Sequence, residues 1–115
     1  MAPHPTESHI LDRLDGVVDS RKDSQPEYSY VAGLLQGAAD VVRAKVDEES
    51  SELAAASAAG DQASIVHEAA DLIFHWLVLL RWHGIPVSAV WEELETRFGV
   101  SGLDEKSLRS TTESG

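Results

Sequence analysis

KVDEESSELAAASAAGDQASIVHEAADLIFHWLVLL, residues 45–80, decides the fold. Its last nine residues are almost wholly apolar and belong inside a protein, yet Glu68, Asp71 and His75 lie along or beside that run. In its first half, Val46, Glu49, Leu53 and Ala56, together with the preceding Val42, recur at heptad-like steps and form one helical stripe. Glu49 is therefore on an apolar face. Between the halves stands Gly60, a natural helix stop, followed by Asp61 and Ser64, either of which can start the next helix. The stretch reads as two long antiparallel helices joined by a tight turn.

That turn puts the acids in register. Glu52 lies eight residues before Gly60 and Glu68 eight after it, while Glu49 and Asp71 are each eleven away. At roughly 100° per residue, Glu48, Glu49 and Glu52 crowd one side of two turns, and Glu68 and Asp71, three apart, also share a side. Facing carboxylates in a half-buried place cannot all stay ionised without a counter-charge. A hard divalent cation supplies one, and Mg²⁺ favours an oxygen donor set of this kind. The bland alternative is a solvated acidic face, with Lys45 simply pairing with Glu49. The residues alone leave both open. His67, Asp71 and His75 follow at i, i+4, i+8, a spacing that suits Zn²⁺, but the other donors nearby are all hard oxygens. His75 is better read as a core or supporting histidine and His67 as a surface residue. Trp76, Trp82 and Trp91 read as core or interface aromatics.

Working outward, Ile10, Leu11, Leu14, Val17 and Val18 predict a first helix capped by Thr6 or Ser8. Residues 21–27, RKDSQPE, read as a loop because Pro26 disfavours helix before it. Residues 28–36 predict a short helix ended at Gly37, Asp40 is the expected N-cap of the long helix, and a fifth helix is expected from about Pro86 to Phe98. There is no alternating β-branched run and no repeat. The expectation is an all-α helical bundle, one domain over residues 1–115 with its core at about 8–100 and a polar tail over 101–115.

The 115 residues contain no cysteine and carry a net charge of −11. No disulfide framework or thiolate metal site is available, in keeping with a cytoplasmic location. The charge disfavours nucleic acid and anionic membranes as partners. The N-terminal MAPHPTESH lacks the basic and apolar regions of a secretory signal, and the apolar run is read as too short for a membrane span. A polyanionic ligand would need a metal or a local group of cations to hold it.

Residues 45–80 resemble the central segment of phosphoribosyl-ATP pyrophosphohydrolases, members of the all-α, MazG-like nucleoside triphosphate pyrophosphohydrolases. The E-x-x-E and E-x-x-D signature falls on Glu49, Glu52, Glu68 and Asp71, with Glu48 as the accompanying acid. RKDSQPEYSYVAGLL, HEAADLIFHWLVLL and SGLDEKSLR resemble further family segments, so the likeness covers about residues 8–109. Val31, Asp47 and His67 depart from the family's usual Thr, Gly and acid, without touching the four signature acids.

The resemblance implies Mg²⁺-dependent, or Mn²⁺-dependent, hydrolysis of phosphoribosyl-ATP to phosphoribosyl-AMP and pyrophosphate, the second step of histidine biosynthesis. Glu49, Glu52, Glu68 and Asp71 are then the metal ligands. Glu48, Glu49 and Glu52 are candidates to handle the attacking water. Lys45, Arg21, Lys22, Lys106 and Arg109 are candidates to hold phosphates. It also implies a homodimer, and a separate cyclohydrolase is a candidate partner. The alternatives are a house-cleaning or dUTPase-type nucleotide pyrophosphohydrolase and a non-catalytic helical interaction module.

Overall fold

The computed structural model describes residues 9–99, and every regular element among them is helical. The order is α1 (Ile10–Ser20), a 3₁₀ turn (Pro26–Tyr28), α2 (Tyr30–Gln36), α3 (Ala39–Ala59), α4 (Gln62–Trp82) and α5 (Val87–Phe98). The chain divides at the Ile85–Pro86 junction into two compact units.

The α3–α4 hairpin is the frame of the first unit. α3 stops at Gly60, whose φ of 78° is the left-handed conformation that glycine adopts without strain, and whose N–H returns to the carbonyls of Ala56 and Ser57. Asp61 starts α4 at once: its Oδ2 accepts from the Ser64 N–H at 2.9 Å and from the Ser64 hydroxyl at 2.7 Å. These bonds hold the Asp61 carboxyl below its ordinary pKa. With only two residues between them, the helices must run antiparallel, and they share the most extensive packing in the chain. On α3 the stripe Val42, Val46, Glu49, Leu53 and Ala56 faces inward, as its spacing predicts.

α1 and α2 close over the end of the hairpin remote from that turn. Each of the four helices puts one residue into the central apolar cluster: Val18, Leu34, Val42 and Val78. Val31, Leu35, Phe74, Leu79 and Trp82 pack around them. The Trp82 indole N–H donates to the Gly37 carbonyl at 2.9 Å, tying the end of α4 to the end of α2. Gln36 clamps the turn after α1, donating from Nε2 to the carbonyls of Lys22 at 3.0 Å and Ser24 at 2.7 Å.

Several local expectations need correction. Asp40 is not the N-cap of α3. The helix starts at Ala39, which is drawn inside, so Ala38 takes the cap position without a side-chain bond and Asp40 falls in the first turn. Residues 28–36 are not one helix, because Ser29 breaks it: its extended backbone ends the 3₁₀ turn and its Oγ accepts from the Ala32 N–H at 3.1 Å to open α2. Thr6 and Ser8 lie outside the described residues; at the described start of α1, His9 Nδ1 accepts from the Leu11 N–H at 3.1 Å. Pro86 precedes α5 as its cap residue rather than lying in its first turn.

In α1, Leu11, Leu14 and Val18 turn inward but Ile10 and Val17 are exposed. The inner face is completed by Asp15, only 4% exposed. Arg81 of α4 grips it with two bonds of 2.9 Å, from Nε to Oδ1 and from Nη2 to Oδ2, and also reaches Asp19 at 3.4 Å. The forked geometry matches a carboxylate face on and suits a buried pair.

At 21 residues, α4 is long and apolar enough, by length and composition alone, to cross a membrane. The apolar run within it, residues 72–80, is shorter than the roughly 20 residues a span needs, and the helix packs as a bundle helix does: Arg81 binds α1, and Glu68 and Asp71 lie toward the acids of α3. In the second unit, α5 carries an Arg97–Glu93 bond of 2.6 Å one turn apart and a Thr96 hydroxyl bonded to the Glu92 carbonyl at 3.0 Å.

Replacing Arg81 by Met strips the buried Asp15 carboxylate of its guanidinium and is expected to destabilise the chain by about 3–5 kcal/mol. The double variant Asp15→Leu/Arg81→Met is expected to recover most of that loss. Urea denaturation of the three proteins measures both.

Candidate active site

Glu49, Glu52 and Glu68 each bring a carboxylate oxygen to a common point, all within 4.8 Å of one another. A second group, His67, Glu68 and Asp71, meets the same criterion and shares Glu68 with the first. Asp71 lies close enough to Glu49 to oppose its ionisation. The hairpin thus sets the two acidic pairs, one from each long helix, side by side.

The electrostatics are those of a site short of positive charge. Glu49 is 7% exposed. Burial, first of all, raises its pKa above the ordinary 4.5, and the hydrogen bond and charge of Glu52 and the charge of Asp71 push the same way, against a smaller effect of His75. The Glu68 carboxyl is also raised, by desolvation and then by Glu52 and Asp71, with His67 opposing. Glu49 Oε2 and Glu68 Oε2 are both buried and have no hydrogen-bond partner. Buried oxygens of this kind normally find one. Two such atoms beside a third carboxylate make a hard, anionic donor set that fits Mg²⁺ or Mn²⁺ better than softer metals.

Other candidates fall in different places. Glu48 points to the exposed side of α3 and pairs with Lys45 at 3.6 Å, so it lies outside the group formed by Glu49, Glu52 and Glu68. Lys45, half-buried one turn before Glu49, has its pKa raised, first by Glu48 and then by Tyr30. Arg21 is exposed, and Lys22 pairs with Asp19 at 3.6 Å; neither is shown at the carboxylate group. Lys106 and Arg109 lie outside the described residues.

The zinc spacing of His67, Asp71 and His75 does not form a ligand set. His67 Nε2 does reach Asp71 at 3.3 Å, but both nitrogens of His75 are already engaged. Nδ1 is 3.0 Å from the Asp71 carbonyl, and Nε2 is 2.9 Å from the Tyr30 hydroxyl. His75 is a buried supporting residue, as its position on the apolar side of α4 suggests. Tyr30 was not among the expected site residues. The signal that could have found it is its place in RKDSQPEYSYVAGLL, one of the segments that resemble the family.

Comparison with known proteins points to one family. The phosphoribosyl-ATP pyrophosphohydrolase family matches residues 11–98. The chain is 48% identical over 105 residues to a phosphoribosyl-ATP pyrophosphatase of Pelobacter propionicus, covering 91% of this chain and 97% of that one. It is 46% identical over 101 residues to the protein of that name in Trichlorobacter lovleyi, covering 88% and 94%. A third such relative, from Nitrosospira multiformis, is 48% identical over 100 residues, covering 87% and 83%. Similarity of this extent, with the facing acids at the centre of the matched region, means that the chain belongs to the phosphoribosyl-ATP pyrophosphohydrolase family.

Proposed function

We infer that the protein hydrolyses phosphoribosyl-ATP to phosphoribosyl-AMP and pyrophosphate, a step of histidine biosynthesis, in the cytoplasm. The observation that carries this reading is the pair of buried, unpartnered oxygens, Glu49 Oε2 and Glu68 Oε2, at the centre of a chain matched to this family over residues 11–98. Glu49, Glu52, Glu68 and Asp71 would hold Mg²⁺, with Mn²⁺ as a substitute. Bound there, the ion supplies Lewis-acid stabilisation of the charge on the triphosphate.

The remaining work belongs to the chain's own groups. Water adds across the α–β phosphoanhydride: a new P–O bond forms, the bridging P–O bond breaks, and pyrophosphate leaves. A glutamate of the Glu48, Glu49 and Glu52 turn takes the proton of the attacking water. Without a cation, burial and the neighbouring carboxylates raise the pKa of Glu49 and Glu68; a bound cation would favour their ionised form. Lys45, one helical turn from Glu49, would offer its ammonium to a phosphate.

An obligate homodimer accompanies this reading. α4 is apolar around much of its circumference, and among its described residues Val66 and Ile73 are exposed. A second copy across a two-fold axis is the commonest way to cover such a helix, and residues 72–82 are the part offered. Basic residues of one protomer would then help to complete the phosphate site of the other. A separate cyclohydrolase, acting on the product, is a candidate partner.

Three outcomes test the reading. With Mg²⁺, pyrophosphate release is expected from phosphoribosyl-ATP and not from dUTP or dCTP, and Asp71→Asn is expected to lower it at least about 100-fold while leaving the helical circular dichroism unchanged.

The metal-free fold has a calculable pH response. Because the folded pKa of Glu49 exceeds its unfolded value of about 4.5, the native state holds more protons across that window. Stability therefore falls as pH rises from the unfolded to the folded pKa, and the penalty is complete above both. Glu49→Gln is expected to raise the melting temperature in EDTA at neutral pH and to change it little at pH values below the unfolded pKa. Mg²⁺ is expected to raise the melting temperature of the natural protein and much less that of the variant. Finally, sedimentation equilibrium at low micromolar concentration is expected to give twice the chain mass of 12.5 kDa.

A further inference from the structure

One ring nitrogen stands at the rim of the carboxylate centre. His67, Glu68 and Asp71 each bring a nitrogen or oxygen to within 4.8 Å of the other two. His67 Nε2 is 3.3 Å from Asp71 Oδ2. The helix arranges this, because residues three and four apart share a face of α4. Glu68 belongs equally to the group it forms with Glu49 and Glu52. The imidazole therefore joins the centre from its solvent side, where the His67 side chain is 70% exposed.

A plain surface pair between His67 and Asp71 would contribute little, and it would need only those two residues. It gives no reason for Glu68 to share the group with an oxygen, Oε2, that is buried and has no partner. Nor does it account for Glu49, 7% exposed, which holds a second such oxygen in the group that shares Glu68. Unpartnered buried oxygens call for a ligand. The separations suit a cation: donors at about 2.1 Å from an octahedral ion and at right angles to each other stand about 3 Å apart. The choice of donor then bears on the choice of ion. Carboxylates suit Mg²⁺ and Mn²⁺ alike, whereas imidazole nitrogen suits transition ions.

We propose that His67 Nε2 is a donor to a divalent cation held with Glu68 and Asp71, and that this nitrogen makes the position prefer Mn²⁺ to Mg²⁺. The proposal deepens the hydrolase reading and rests on it for the presence of a cation at the facing acids. His67 touches no reacting atom of the substrate; its part is to select the ion. Being exposed, its ring can turn to meet an ion without disturbing the packing of α3 on α4.

Electron spin-echo spectroscopy of Mn²⁺ bound to the untagged full chain tests this without turnover, since a nitrogen ligand modulates the echo. The natural protein is expected to show that modulation. His67→Gln and His67→Glu, both at an exposed helical position, are expected to lose it. In competition titrations the preference for Mn²⁺ over Mg²⁺ is expected to fall at least about tenfold in His67→Gln. His67→Glu, which replaces the nitrogen by an oxygen donor, is expected to keep binding both ions while losing the preference. The proposal is overturned if Mn²⁺ in the natural protein shows no nitrogen modulation, if the modulation survives in His67→Glu, or if the preference is the same in all three proteins. Binding of Mn²⁺ without nitrogen modulation would remove His67 from the site and leave the four-carboxylate reading standing. If the modulation is present but phosphoribosyl-ATP is not hydrolysed, the donor role stands and the substrate assignment falls.

Discussion

Repulsion between carboxylates on two helices that cannot move apart is the constraint on which the rest of the structure depends. The two-residue turn at Gly60 and Asp61 fixes the register of α3 and α4, and the apolar stripes above and below the acids hold the helices in contact. Glu49 and Glu68 therefore remain in a place where ionisation is costly, and their raised pKa values record that cost. Val18, Leu34, Val42 and Val78 supply the opposing attraction. The fold concentrates negative charge at one point and encloses it with apolar contacts elsewhere, a local sacrifice of stability of the kind expected at functional sites.

The hairpin was legible in the sequence because its signals are local and repeat. The heptad stripe of α3, the glycine stop, and the equal distances of Glu52 and Glu68 from that stop all survive in the structure. The small errors at helix starts have one cause. Asp40 looked like a cap because its residue type suits one, but Ala39 is pulled into the interior and advances the helix by a step. Ser29, unremarked as a cap, takes that role because Pro26 forces a separate turn just before it. Tertiary packing overrode local propensity in both places.

What the sequence concealed are contacts between residues far apart along the chain. Asp15 and Arg81 are separated by 66 positions and Tyr30 and His75 by 45, and in each case one partner comes from a short N-terminal helix. Asp15 falls with Leu11, Leu14 and Val18 at i, i+3, i+4 and i+7 of one helical face, but nothing in that spacing names Arg81 as its partner. Glu48, adjacent to the buried Glu49, pairs with Lys45 and is not in the close group of Glu49, Glu52 and Glu68. Spacing along one helix says which residues share a face. It cannot say which residue of another helix will meet that face.

The tight turn between α3 and α4 also bears on how the chain reaches its native state. The facing acids come from consecutive helices, so they can meet by closing a loop of two residues, and folds dominated by such near-neighbour contacts form quickly. α1 and α2 make the longer-range contacts, through Val18, Leu34 and the Asp15–Arg81 bond, which joins residues 66 positions apart. The carboxylate centre is therefore built from contacts that cost little loop entropy, and the far end of the hairpin from contacts that cost more.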